Sequence, residues 1–458
     1  MNESRELEYE SVGKLLLKFS IPAVIGMLVN ALYSVVDRIF VGRGVGSLAL
    51  SGVAITFPLT NIIMAVGMLV GTGAAAMVSI KLGQKKIGDA EEIIGNAFVL
   101  TIIISALVSI IGLLFLTPIL TAFGATTETM PYAKKFAALL LAGTILQNVG
   151  FGLNPIIRSL GDPKTAMLTM LIGAALNFII NPVLIFGFKL GVAGSAISTL
   201  VAQAVCSVWI YAYFTKGKSI LKLKKENLRL KKQVIDEILS IGISPFAMQV
   251  AASLVTIVMN TSLLNYGGDL AIGAFSLINS IAILIVMPML GINQGAQPII
   301  GYNYGAKNIH RVKSALFCSI AVNACISIAG FAMVQLFPVQ IMRMFNTSDP
   351  ALISMGANGI SIFLMMVALV GPQTSCINYF QSVGKAKYSI FLSLLRQVVL
   401  LIPLAIVLPH FFKLNGIWMA GAASDLISSL ITFAFAFREV GILNAIDRET
   451  EGEAEFAV

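Results

Sequence analysis

Apolar positions run along this chain in twelve long stretches, at roughly residues 15 to 39, 48 to 79, 93 to 117, 133 to 157, 165 to 186, 191 to 214, 238 to 265, 271 to 300, 314 to 337, 351 to 380, 389 to 409 and 416 to 437. Each approaches or exceeds the roughly 20 residues that a helix needs to cross the hydrocarbon of a bilayer. The stretches are continuous rather than alternating, which argues against the strands of a membrane barrel, and backbone polar groups cannot stay unpaired in lipid. The pattern therefore predicts an all-α, polytopic membrane protein with twelve transmembrane helices. A strongly basic break separates the sixth stretch from the seventh.

The two halves repeat. Displaced by 222 or 223 residues, Pro22 falls on Pro245, Asp37 on Asn260, Ala49 on Ala271, Gly73 on Gly295, and Gly83 and Lys85 on Gly305 and Lys307. Further along, the run from Arg158 to Gly161 falls on Gln381 to Gly384. Six crossings return a chain to its starting side, so two six-helix lobes of the same orientation are expected, related by a pseudo-two-fold along the membrane normal. A cavity between such lobes can open to either face as they rock. The expected divisions are an N-terminal segment 1–14, a lobe 15–214, a linker 215–237, a second lobe 238–437 and a tail 438–458.

Composition agrees with this reading: 57% of the residues are hydrophobic and 12% charged, against about a quarter charged in a soluble domain. The net charge of +9 is explained by sidedness. With the N-terminus inside, the cytoplasmic segments carry 23 Lys and Arg residues and the outer segments 7, so the positive-inside rule places both termini in the cytoplasm of a multi-pass protein of the cell's inner, plasma membrane. The linker run from Lys216 to Lys232 reads as a solvated strip that attracts anionic lipid headgroups, not as a nucleic-acid site. Glu3, Glu6, Glu8 and Glu10 are the opposite of a basic signal-peptide start, so the first span is expected to remain. Cys206, Cys318, Cys325 and Cys376 read as buried small hydrophobes without a disulfide. His310 and His410 have no partners at catalytic spacing and no Walker lysine motif occurs, so neither an enzyme nor ATP-driven transport is expected, and no cofactor. Transport must draw on an ion gradient. A monomer surrounded by membrane lipids is the expected form.

A charge inside the bilayer costs about 2.5 to 3.5 kcal/mol or more, so intramembrane acids ask for a function or a partner. Two qualify. Asp37 lies toward the outer end of the first span, and Asn177, Asn181 and Thr199 fall at a compatible depth in the fifth and sixth. Asn177 and Asn181 are four apart and share a helix face, as does Asn30, seven residues before Asp37. One carboxylate with amide and hydroxyl oxygens suits a small hard cation, or a carboxyl that gains and loses a proton; pairing with Arg38 or Arg43 is the inert alternative. Asp425, in the last span, has Arg396 as a partner for an ion pair, or one of the two meets a charged substrate. In the C-terminal half Gln249, Asn260, Asn293, Gln294, Gln297, Gln373 and Asn378, with Met287 and other methionines, read singly as helix contacts. Collectively they suit a cavity for organic cations.

The stretch from Ala31 to Gly42, with Asp37 at its heart, followed by Gly46, Ala49-Leu50 and Phe57-Pro58, resembles the first-span signature of multidrug and toxic compound extrusion (MATE) transporters of the DinF-like and MepA-like branch. The Asn177 to Pro182 run, with Gly191 to Ala196, is similar to that family's fifth and sixth spans. This resemblance implies an antiporter that expels cationic or amphipathic drugs in exchange for H+ or Na+, with the ion at Asp37, Asn177, Asn181 and Thr199. The family usually carries Asp where this chain has Asn181, which leaves Asp37 as the acid of the site. The C-lobe acids of another branch are absent, with Asn260 at the repeat position, so coupling is expected in the first lobe. A flippase for lipids or lipid-linked oligosaccharides would share the fold but needs cations for a pyrophosphate, and Arg396 alone offers one. A passive channel or a scaffold would need neither Asp37 nor a gradient.

Overall fold

The computed structural model describes residues 2–217, 219–345 and 349–455, and their side chains except at 2–5, 34, 35, 38, 47, 269 and 449–455. Lys218 of the basic linker, the last residues of the tail and the side chain of Arg38 lie outside the described set.

The described chain is helical, as hydrocarbon demands of it. Span 1 is Val12–Gly44. Span 2 is Leu48–Gly83, span 3 Ile87–Leu114, span 5 Pro163–Gly187, span 6 Val192–Thr215, span 7 Lys232–Gly268, span 8 Leu270–Gly305 and span 9 Ile309–Leu336. Spans 4 and 10 are bent pairs, Met130–Ala142 with Thr144–Ser159 and Pro350–Phe363 with Val367–Ser382, at 57° and 47°. The final apolar stretch, Ala386–Arg448, has 63 residues, about 95 Å of helix against a core of about 30 Å. It cannot be one crossing. Lys413 breaks it with φ 50°, giving spans 11 and 12. Among the described residues this makes twelve, as the apolar runs predicted.

The duplication is visible in the backbone. Positive φ recurs at Lys85 and Lys307, at Lys189 and Lys413, at Gly46 and Gly268, and at Gly161 and Gly384. The same turns are thus rebuilt 222 to 224 residues apart, even where a lysine must take a conformation that costs it steric strain.

Contacts gather the chain into two units, Met1–Tyr9 with Ile21–Gln249, and Glu10–Ser20 with Val250–Val458. Span 1 therefore begins in the second unit and continues in the first, whereas span 7 begins in the first and continues in the second. Pro22 and Pro245, the repeat-related prolines, stand near these crossing points. In the first unit the start of span 7 packs on span 2: a Cβ on Gly73 would lie 2.1 Å from the Ile238 carbonyl oxygen, and one on Gly242 would lie 1.6 Å from that of Leu69. Only glycine admits such approach. In the second unit Ser20 Oγ donates to the Ile292 carbonyl at 3.4 Å.

Polar side chains are buried and many large apolar ones face outward, while the second unit also keeps a buried apolar cluster around Phe275, Ile278 and Trp418. Ile110, Ile111, Leu114, Phe178 and Ile179 are exposed, while Ser105, Asn148, Asn177 and Asn181 are buried. Asn148 Nδ2, for example, donates to Ser105 Oγ at 2.9 Å. With lipid as the outer solvent, apolar side chains are at home on both sides, so buried hydrogen bonds are what distinguish the interior. Cys206 and Cys376 are buried as expected, but Cys318 is half-buried and Cys325 exposed; their helix turns these positions toward its outer side, where a small apolar group is tolerated as readily as in the interior.

The linker is gripped by the start of span 3. Glu91 accepts from Lys222 N at 3.2 Å and from Lys224 Nζ at 2.5 Å, Lys231 Nζ donates to Glu92 at 2.8 Å, and Asn96 bonds the backbone of Asn227, Arg229 and Lys231. Lys216, Lys225, Arg229 and Lys232 remain exposed.

Candidate functional site

Polar side chains from spans 1, 5 and 6 converge in the first unit. Asp37 Oδ1 accepts from Asn181 Nδ2 at 2.5 Å and from Ser195 Oγ at 2.6 Å. Asn177 Nδ2 donates to Ser198 Oγ at 2.9 Å and to Thr199 Oγ1 at 3.1 Å, and Asn181 Nδ2 also reaches Asn177 Oδ1 at 3.3 Å. Tyr33 extends this chain of bonds, its hydroxyl 2.9 Å from Thr199 Oγ1. Asp37 is 8% exposed and Asn181 fully buried. The sequence expectation of Asp37, Asn177, Asn181 and Thr199 as neighbours is what the structure brings together. Asn30 lies half-buried two turns earlier on span 1, and Arg43 is exposed.

Local helix geometry explains the convergence. Tyr33 and Asp37 are one turn apart on span 1, Asn177 and Asn181 one turn apart on span 5, and Ser195 and Thr199 one turn apart on span 6. Pro182 then withholds a backbone donor, and Val183–Gly187 follows as a wider π-helical turn, a form that recurs at functional sites. Gly191, at φ 60°, reverses the chain into span 6, and Gly194 lets its first turn close on the backbone of Leu184. Beside the site lies an apolar cluster that includes Val41, Ile185, Val192 and Ala196. It keeps water from one side and so strengthens electrostatic interactions there.

One atom is left over. Asn181 Oδ1 is buried and accepts no hydrogen bond. A buried acceptor without a donor costs about 1 to 3 kcal/mol, and here it stands on the residue that touches the Asp37 carboxylate. Carboxylate, amide and hydroxyl oxygens are the donor set of a hard cation such as sodium.

Tyr33, Ser195 and Ser198 were not singled out from the sequence as site residues. Hydroxyls are common in membrane helices, where they bond their own backbone. The available signal was spacing: Tyr33 stands four residues before Asp37, and Ser195 four before Thr199.

The residues expected around a substrate cavity are not knit into one group. Arg396 Nε donates to Asp425 Oδ1 at 2.6 Å. Gln373 is buried and shares hydrogen bonds with Ser429 and Thr432. Asn378 Nδ2 donates to the Asn293 carbonyl, and Asn293 Oδ1 accepts from Asn323 Nδ2 at 2.8 Å, in a hub that also holds Ser375. Gln297 is buried. Gln249, which falls in the first unit, and Asn260, Met287 and Gln294 in the second, are half-buried. Gln294 Oε1 has no partner.

In the linker, outside the spans, the hydrogen bond and charge of Glu91 hold the Lys224 ammonium above its ordinary value of 10.5.

Comparison with known proteins returns one consistent group. The family model MatE matches residues 22–183 and again 245–407, two copies whose starts, at Pro22 and Pro245, are the residues first paired by the internal repeat. The multidrug export protein MepA of Staphylococcus haemolyticus (strain JCSC1435) is 26% identical over 427 residues, 93% of this chain and 94% of that protein. The structure of the MATE multidrug transporter DinF-BH, solved in complex with a ligand, is 39% identical, with a TM-score of 0.87 over 94% of this chain and 97% of the other. A MATE structure in a bent conformation is 24% identical, with a TM-score of 0.91 over 97% and 99%, a likeness of fold.

Proposed function

The chain belongs to the MatE family, and from that premise we propose that it is a multidrug efflux transporter of the cell membrane that exports cationic or amphipathic organic compounds. It works as a monomer with both termini in the cytoplasm, the side to which topology assigns most of its Lys and Arg residues. Export is driven by antiport of a small cation, H+ or Na+, through the site on Asp37. The relatives' multidrug names and the likeness to a multidrug transporter solved with a ligand bound support the substrate class.

The observation that carries the coupling reading is the buried, donorless Oδ1 of Asn181 beside the Asp37 carboxylate. An arriving sodium ion would take oxygens from both residues, with Asn177, Ser195 and Thr199 within one turn. An arriving proton would instead neutralise Asp37, weakening its hold on Asn181 and Ser195. Either event changes the bonds that tie span 1 to spans 5 and 6. A ligand shifts a conformational equilibrium only by its differential affinity for the two states, and these bonds are where that difference would arise.

The test is reconstitution of the full chain in liposomes, following a fluorescent cationic dye under an imposed pH gradient, an imposed sodium gradient, or neither. Uphill dye movement under one gradient, with counterflow of that ion, is expected. Dye movement that is equal in all three conditions would overturn antiport and leave a passive pathway.

A further inference from the structure

We propose that Arg396, clamped by Asp425, anchors the carboxylate of zwitterionic amphipathic substrates within the second unit. The inference rests on the export reading and names a substrate class for it.

Arg396 follows the helix Ala386–Leu394 as the second residue of a π-helical stretch, Leu395–Leu401. Its partner Asp425 lies near the middle of span 12. The pair meets at the side of the guanidinium: Nε donates to Asp425 Oδ1 at 2.6 Å, the side chains being 33% and 5% exposed. No described residue accepts from the two terminal nitrogens of Arg396. A guanidinium carries five N–H donors in a fixed fork, so the clamp uses one edge and leaves the other. About a third of the Arg396 side chain is exposed, so protein does not seal off the free edge of the fork.

The chemistry of the free edge selects the ligand. Two parallel N–H groups match a carboxylate bidentately, which a lysine cannot reproduce. Charge balance narrows the choice. Empty, the pair is neutral, which allows it to stand in the membrane without a bound ion. A simple anion would leave the site with a net negative charge; a compound carrying both a carboxylate and its own cationic group would not. Behind the pair the last span presents Ser424, Ser428, Ser429 and Thr432, all buried and bonded to backbone or to Gln373. They support the helix and leave the fork as the free donor.

The experiment compares two forms of one rhodamine dye, the ethyl ester, a fixed cation, and the free carboxylic acid, a zwitterion. Export from liposomes is measured for the parent chain, for the neutral double variant Arg396→Gln/Asp425→Asn, and for Arg396→Lys, which keeps the charge without the fork. The ratio of acid KM to ester KM should rise about tenfold or more in the double variant, and part of the way in Arg396→Lys. A ratio that stays constant overturns the inference, as does a parent chain that exports the ester but not the acid. Should the ester itself not be exported, the export reading falls instead. Fluorescence polarisation of both dyes on detergent-solubilised protein then decides the anchor: weaker acid binding in the double variant supports it, and unchanged binding refutes it.

Discussion

Asp37 in the first unit and Asp425 in the second are acids buried well inside their spans, and they are kept by different means. Asp37 receives an amide and a hydroxyl from Asn181 and Ser195, whereas Asp425 receives a guanidinium from Arg396. Neutral donors such as these stabilise a carboxylate without themselves cancelling its charge, which is what the proposed exchange of a cation at Asp37 would use. A guanidinium cancels the charge and makes the acid part of the scaffold. On the proposed function, Asp37 is the exchangeable acid and Asp425 the structural one.

This contrast can be broken by the same substitution at both sites. Asp37→Asn should reduce gradient-driven dye export to the level of protein-free liposomes, while thermal unfolding in detergent stays within about 1 kcal/mol of the parent, because the amide keeps the shape and an acceptor oxygen. Asp425→Asn should do the reverse at first: it strands the Arg396 charge and lowers stability by about 3 kcal/mol, an amount largely recovered in the double variant with Arg396→Gln. If Asp425→Asn is as stable as its parent, the pair contributes little and the contrast fails. Asn181→Ala sharpens the first site alone. It removes the donorless oxygen, and the coupling-ion concentration for half-maximal export should rise about tenfold, equivalent to roughly 1.4 kcal/mol.

The smallest effect is expected far from either acid. Glu91→Gln should release the linker, read as faster amide exchange over 219–231, by about tenfold. The sign with pH follows from the raised ammonium of Lys224. Its contribution is complete below the unfolded value near 10.5 and is lost as pH rises through the higher folded value. Protection of the linker in the parent should therefore persist through neutral pH and decline only in strong alkali, and export should be little altered by the variant.

The twelve spans were legible because hydrocarbon allows few alternatives to an apolar helix. The bends within spans 4 and 10 were not, since Gly143 and the 364–366 segment interrupt the helix without interrupting hydropathy. At the site, Asp37, Asn177, Asn181 and Thr199 stood out as polar groups in apolar surroundings at matched depth. Ser195 and Ser198 did not, because a serine in a membrane helix most often serves its own backbone. The linker showed its charge but not its anchorage: Glu91, Glu92 and Asn96 grip it across about 130 residues of sequence, a pairing that no local pattern announces.

The exchanged beginnings of spans 1 and 7 bear on how the molecule could be taken apart. A fragment ending in the linker would lack residues 232–249, on which span 2 closes through Gly73, and the complementary fragment would lack Glu10–Ser20, including the serine that caps the Ile292 carbonyl. Neither half carries all the packing surfaces of one bundle. Co-expressed, the halves should complement each other in trans; produced singly, each should be cleared by the cell's quality control, so a gene-splitting assay would register the duplication as interdependence rather than as two autonomous domains.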